Sequence, residues 1–292
     1  MSLKNSELPL HPDGSVYHLN LQPQEIADTL ILVGDPGRVP TVSAKFDTIE
    51  VRKQNREIVT HTGIYKGKRI SVLSTGMGTD NLDIVLNELD ALVNIDLQKR
   101  EPKQTHKSLN LIRLGTCGAL QPEWEVDTFI ASQYVLGMDG LLHYYQHDED
   151  LSDREIVDTF TTKTAWSNNF PKPYAIKASD SLLDKIAFDM RKGITLTASG
   201  FYAPQCRVLR LPLGMPDFAQ QLIGVQAKGL SFTNMEMETS ALYALSKLLG
   251  HQALTVCVVI TNRPNKTFSK DYQPAMEKLI EIVLERVANP ER

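Results

Sequence analysis

The chain has 292 residues, 42% of them hydrophobic and 23% charged, a balance that supports a full hydrophobic core and excludes an intrinsically disordered segment. Thirty-one Lys and Arg against 35 Asp and Glu leave a formal charge of -4, so no global attraction to nucleic acid or an anionic membrane is expected, and any anion must be held locally. Three cysteines, Cys117, Cys206 and Cys257, lack C-x-x-C spacing and indicate neither a disulfide framework nor a zinc site; without an apolar stretch of about 20 residues or a leader-like N-terminus, the chain reads as soluble and cytoplasmic.

Short β-rich runs alternate with helical patterns along the chain. TLILVG (Thr29 to Gly34) predicts a strand that ends in Gly-Asp-Pro-Gly-Arg and leads into a helix. Arg69 to Thr75 predicts a second strand, again finishing in glycines, and Leu82, Val85, Leu86, Leu89, Leu92 and Val93 then form one apolar helical stripe. Further strands are predicted over Leu109 to Gly115, Asp127 to Leu136 and Ala253 to Thr261. Met237, Ala241, Ala244, Leu245 and Leu248 mark another helix, and Gln273 to Val287 a last one. Polar stretches within 97–108 and 147–172 read as surface insertions on a single domain spanning 1–292. The alternation predicts an α/β protein with a largely parallel or mixed sheet.

Three strands end in glycine, at Gly34, at Gly76 and Gly78, and at Gly115 and Gly118, which points to a ligand crevice along the carboxyl edge of the sheet. The first turn could present backbone N–H groups and the Arg38 guanidinium to an anion, or be an ordinary strand-to-helix turn. Its spacing matches neither a P-loop nor a dinucleotide loop. Arg113 lies inside an apolar strand and must meet either an acid or an anionic ligand, because an unpaired buried guanidinium is very costly. Thr233 and Glu236 fit a capping box for the helix at Met237, so Glu236 and Glu238 are either cap residues or acceptors for vicinal sugar hydroxyls. His143 and His147 have the i, i+4 spacing of a helical metal pair but no third ligand, and no metal is assigned. Cys117 has no paired base and reads as a small structural residue.

Taken in order, GDPGR, STGMG, RLGTCGA, FYAPQCR, NMEMETSA and VVITNR resemble the nucleoside phosphorylase family of the uridine and hexameric purine phosphorylases, over about residues 17 to 263. The resemblance implies a three-layer α/β/α sandwich around a mixed, distorted central sheet. It implies homo-oligomers built from dimers, with a dimer as the active unit and a hexamer as a trimer of dimers in some relatives. The implied reaction is reversible phosphorolysis of an N-glycosidic bond, with inorganic phosphate as co-substrate and no organic cofactor. Phosphate binding falls to Gly34, Arg38, Arg113 and Thr116, joined by Arg56 from a neighbouring subunit. Ribose binding falls to Glu236, Met237 and Glu238, with His18 reaching across the dimer. Phe201, Gln205 and Arg207 match the residues that hold uracil, with Arg113, Gln205 and Arg207 as the catalytic set. Asn262 stands where purine phosphorylases carry a proton-donating aspartate. The resemblance therefore implies uridine phosphorolysis, ahead of a purine phosphorylase, a nucleosidase of the same fold, or a non-catalytic nucleoside sensor. Cys206 replaces a commonly acidic residue, and the Phe-Tyr pair is one residue closer to the glutamine than in most relatives. Asn81 replaces a serine that in some relatives binds a monovalent cation, and no cation is assigned there.

Overall fold

The computed structural model describes residues 2–289. In chain order the strands and helices are β1 (Thr29–Val33), α1 (Arg38–Ser43), β2 (Thr48–Asn55), β3 (Ile58–Tyr65), β4 (Lys68–Ser74), α2 (Thr79–Asn94), β5 (Ile95–Asp96), β6 (Glu101–Pro102), β7 (Asn110–Ala119) and β8 (Phe129–Gly137). There follow α3 (Arg154–Thr164), β9 (Tyr174–Lys177), α4 (Asp180–Ile186), β10 (Lys192–Thr197), β11 (Gln226–Ala227), β12 (Leu230–Glu236), α5 (Thr239–Leu248), β13 (Gln252–Asn262), β14 (Thr267–Phe268) and α6 (Gln273–Ala288).

The central sheet runs β11-β12-β10-β8-β13-β7-β1-β4-β3-β2. β4, β1, β7 and β13 are mutually parallel, and the β2, β3 and β4 pairings and the β8–β13 pairing are antiparallel, so the sheet is mixed as expected. β12 also pairs with β7, through Asn234 opposite Ala119 and Met235 opposite Gly118. That extra pairing closes β7, β13, β8, β10 and β12 into a ring and is the physical source of the distortion. It also brings the ends of β7 and β12 together.

β1 and β13 are apolar along their length because helices cover both faces: α2 packs on α5, α4 on α6, and α4, α5 and α6 all touch β13. The main core gathers Leu30 to Val33, Leu82, Leu86, Leu89, Leu111, Leu254, Leu279 and Val283, all excluded from water. A second cluster holds Phe160, Phe218 and Phe232. A third, small one joins Cys117, Ala119, Trp124, Ile130, Cys257 and Val259 under the closed ring.

The structure changes several sequence expectations. The β2–β3 hairpin was not legible as apolar runs, since β2 alternates exposed and half-buried positions on a solvent-facing edge. Residues 230–236 form strand β12, not a capped helix start: Thr233 Oγ1 donates to the Ile194 carbonyl at 3.3 Å, and α5 begins only at Thr239. Met237 therefore precedes the helix. Within 97–108 the chain makes β6, which pairs with β5 just before it, and within 147–172 it makes α3, capped by Asp153, whose carboxylate accepts from the Ile156 amide at 3.2 Å. His143 and His147 are not on one helix; each ring bonds a backbone carbonyl, of Lys172 and Tyr145 respectively, at 2.8 Å.

Candidate active site

A cavity of about 670 Å³ opens where β1, β4, β7 and β12 end. Gly34, Arg38, Arg113, Thr116, Glu236, Met237, Glu238, Phe201, Gln205 and Arg207 all line it. The three glycine-rich strand ends thus do converge on one crevice, and ten of the twelve residues singled out from sequence meet there.

In the turn after β1 two amides are used internally: Gly37 N–H donates to Asp35 Oδ1 at 2.8 Å and Arg38 N–H to the Asp35 carbonyl at 3.0 Å. Gly34, Asp35 and Pro36 line the cavity beside the Arg38 side chain, which is buried and donates to the Leu114 carbonyl at 3.3 Å.

Arg113 meets acids, the first of the two alternatives open to it. Its guanidinium is only 4% exposed, lies 3.2 Å from Glu236 Oε2, and donates to Glu238 Oε2. Burial alone would push this guanidinium down, but the two carboxylates outweigh burial and hold it above its ordinary value. Burial pushes the Glu238 carboxyl up, against the pull of Arg113. Gly115 makes room for the arrangement: a Cβ there would stand 2.1 Å from Arg113 Nη1. Glu238 also accepts from the Gly78 amide at 2.9 Å, and Gly78, at φ +95°, turns the chain into α2 as only glycine does readily.

Glu236, at the end of β12, accepts from the amides of Glu238 and Thr239 and from Thr197 Oγ1 at 2.6 Å. It therefore performs the capping of α5 from the preceding strand, although the Thr233 half of the expected box is absent.

The other end of the cavity is built from arginines. Gln205 is buried, and its Oε1 accepts from Arg207 Nη1 at 2.7 Å and from Arg263 Nη2 at 2.9 Å. Arg263 also donates to the Gln205 carbonyl, and Arg207 to the Phe201 carbonyl at 2.7 Å. The Arg207 guanidinium lies over the Phe201 ring, 3.8 Å from its centroid. The Gln205 acceptor is thus already shared by two guanidiniums. Arg263 is the residue sequence reasoning missed. The available signal was an arginine directly after an apolar strand end, beside Asn262.

Asn262 itself does not line the cavity. Its amide is spent on the 121–124 turn, donating to the Gln121 carbonyl at 2.9 Å and the Trp124 carbonyl at 2.6 Å, while its oxygen accepts from the Asn265 amide.

His18 and Arg56 lie outside the cavity but close to one another. Arg56 is exposed at the β2–β3 turn with its guanidinium 6.0 Å from the Tyr17 ring centroid, and Asn55 donates to the His18 carbonyl at 3.0 Å. His18 Nδ1 sits 2.6 Å from Glu88, whose carboxylate also takes the His18 and Leu19 amides. Asn81 faces Glu57, with Nδ2 3.5 Å from Oε1. Cys117 is buried, and burial pushes its thiol up, in keeping with a structural role.

Among the described residues, one further group could gather metal-ligating atoms: Asp90, His106 and His251, all within 4.8 Å of one another at the opposite edge of the sheet. The Leu109 amide donates to His251 Nδ1 at 3.2 Å, so the neutral ring carries its proton on Nε2, 3.3 Å from Asp90, and has no lone pair there for an ion. Among the described residues, no helix is long and apolar enough to cross a membrane.

Comparison with known proteins agrees with this geometry. A family model described as the phosphorylase superfamily matches residues 28–288. A uridine phosphorylase of Thermococcus kodakarensis is 31% identical over 266 residues, covering 91% of this chain and 84% of the relative. A purine nucleoside phosphorylase of the DeoD type from Oceanobacillus iheyensis is 29% identical over 273 residues, covering 92% and 98%. A crystal structure of a Trypanosoma brucei nucleoside phosphorylase, described as showing uridine phosphorylase activity, superposes with a TM-score of 0.85 at 32% identity, covering 96% of this chain and 98% of that one.

Proposed function

The chain belongs to the phosphorylase superfamily, and from that premise we propose that it converts uridine and phosphate to uracil and ribose 1-phosphate. The observation that carries this reading is one cavity lined by Arg38, Arg113 and Thr116 and by Gln205 and Arg207, with Arg263 behind Gln205 and bonded to its amide oxygen. The ribose lies between them against Met237 and Glu238, so that a phosphate oxygen can approach C1′ while the base departs toward the arginines. Negative charge develops on the uracil ring as the bond breaks, and preformed donors there are worth more to the transition state than to bound uridine. No general acid is needed. Phosphate is the only co-substrate in this scheme, and no organic cofactor takes part.

His18 and Arg56 are proposed to act in a neighbouring subunit's cavity. Their place at an exposed hairpin turn and on the segment beside it, away from the cavity of their own chain, supports an active dimer. The whole chain is read as one catalytic domain, its insertions within 97–108 and 147–172 lying outside the site.

The test is base release from uridine, inosine and thymidine, each with and without phosphate. Phosphate-dependent release of uracil, far faster than hypoxanthine release from inosine, is the expected result. Release independent of phosphate would indicate hydrolysis, and comparable rates with inosine would favour the activity for which the purine relatives are named.

A further inference from the structure

The two ends of the cavity differ in charge in a way that the overall reaction does not require. At the phosphate end one guanidinium, Arg113, is held by two carboxylates. At the base end two guanidiniums, Arg207 lining the cavity and Arg263 behind it, share one neutral amide, and among the described residues neither lies within 4.0 Å of a carboxylate. Burial pushes both guanidiniums down, and Arg207's charge adds to the effect on Arg263, which is pushed down to about 10. Both still carry their protons at neutral pH. Arg263 Nε is buried with no partner.

The hydrogen-bonding sense of this end is also one-sided. A guanidinium has no acceptor, so the atom that receives both arginines must be the Gln205 oxygen, and the amide is left with only its N–H groups to offer. The base end is thus an array of donors. The edge of a neutral uracil reads acceptor, donor, acceptor across O4, N3–H and O2. Its middle N–H finds no acceptor in this array unless one arginine leaves Gln205. A ring that has lost its N3 proton presents acceptors alone along this edge, and any monoanion brings the charge that the two guanidiniums lack.

We propose that the base end of the cavity binds pyrimidines preferentially as anions, so that the free bases it takes best are those whose ring N–H is most acidic. The inference rests on the pyrimidine reading given above and names the ligand class of that same site. Charge-assisted bonds from two guanidiniums are roughly twice as strong as neutral ones, so an ionised ring gains on the order of tenfold or more in affinity over a neutral ring of the same shape.

The experiment is calorimetric titration of the protein, in the presence of inorganic phosphate, with uracil, 5-fluorouracil and 5-nitrouracil near neutral pH, with thymine as the control for bulk at C5. Electron-withdrawing groups at C5 acidify the ring, and the nitro compound is largely ionised at neutral pH. The expected series tightens from uracil to 5-nitrouracil by about tenfold or more while thymine gains nothing, and Arg263→Gln flattens it. If that variant does not fold, the wild-type protein decides alone: uracil must tighten as the pH rises from neutral toward its own ionisation. Equal affinities for uracil and 5-nitrouracil, an order that follows C5 bulk, or a uracil affinity indifferent to pH would overturn the inference. Uridine turnover is measured on the same preparation. A flat series with active uridine phosphorolysis rejects the anion preference and keeps the reaction, whereas a steep series without uridine turnover does the reverse.

Discussion

Replacing Arg113 by Met tests the buried ion triad most severely. The side chains of Arg113, Glu236 and Glu238 are 4%, 1% and 6% exposed, so the substitution strands two carboxylates where water cannot reach them. Breaking a buried pair in this way costs about 3 to 5 kcal/mol. For a chain of this size that corresponds to a fall in Tm of roughly 5 to 8 °C at a fixed scan rate. The pH dependence has a definite sign. Without Arg113 the Glu238 carboxyl titrates further above its usual value, because burial already pushes it up and its main opposing charge is gone. A group whose folded pKa is raised contributes stability below its unfolded pKa and loses it as the pH rises through the folded one. The deficit relative to wild type is therefore greatest at neutral pH and shrinks toward pH 4.5, the ordinary glutamate value. Adding Glu238→Gln to Arg113→Met should restore part of the Tm at neutral pH and none of the activity. A single variant that melts with wild type at neutral pH, or a deficit that grows as the pH falls, would refute the triad.

Gly115→Ala places a methyl group 2.1 Å from Arg113 Nη1 and should raise the phosphate KM while circular dichroism shows the fold retained. An unchanged phosphate KM would mean that Arg113 is not held as described. Arg207→Ala should lower kcat with uridine far more than it lowers phosphate affinity, since its partner gains charge mainly as the bond breaks; steady-state kinetics in both substrates checks this. An inactive Arg56→Ala chain mixed with an inactive Arg207→Ala chain should regain activity, because one site of a hybrid dimer then holds both arginines intact. Proven subunit exchange without rescue would place both residues in the same chain's site.

What the sequence disclosed and what it hid follow from the range of the interactions. β1, β4, β7 and β13 were legible because strands covered on both faces are apolar throughout, and the glycines at their ends mark where the chain must turn away from a ligand space. β12 was misread because Thr233 and Glu236 satisfy a local capping pattern, whereas their real partners, Ile194 and Thr197, lie on β10 and are set by sheet pairing. The pairing of Arg113 with Glu238 spans 125 positions, so sequence could show that the arginine needed an acid or an anion but not which. The motif order brought Gln205 and Arg207 to the right cavity. That a third donor, Arg263, occupies the glutamine's acceptor depends on where β13 ends, just beyond its register shift at Val259 to Thr261, and no local pattern carries that information.

The central claim is that phosphate and a pyrimidine nucleoside meet in this one cavity. Its most direct measurement is the initial rate of uracil formation from uridine against that of hypoxanthine from inosine, with phosphate varied from zero to saturation. Two buried donors left unpaired against the wrong base cost roughly 1 to 3 kcal/mol each, so uridine should lead by about a hundredfold or more, with saturable dependence on phosphate and ribose 1-phosphate as co-product. Equal rates with inosine, or uracil release that does not depend on phosphate, would contradict the account.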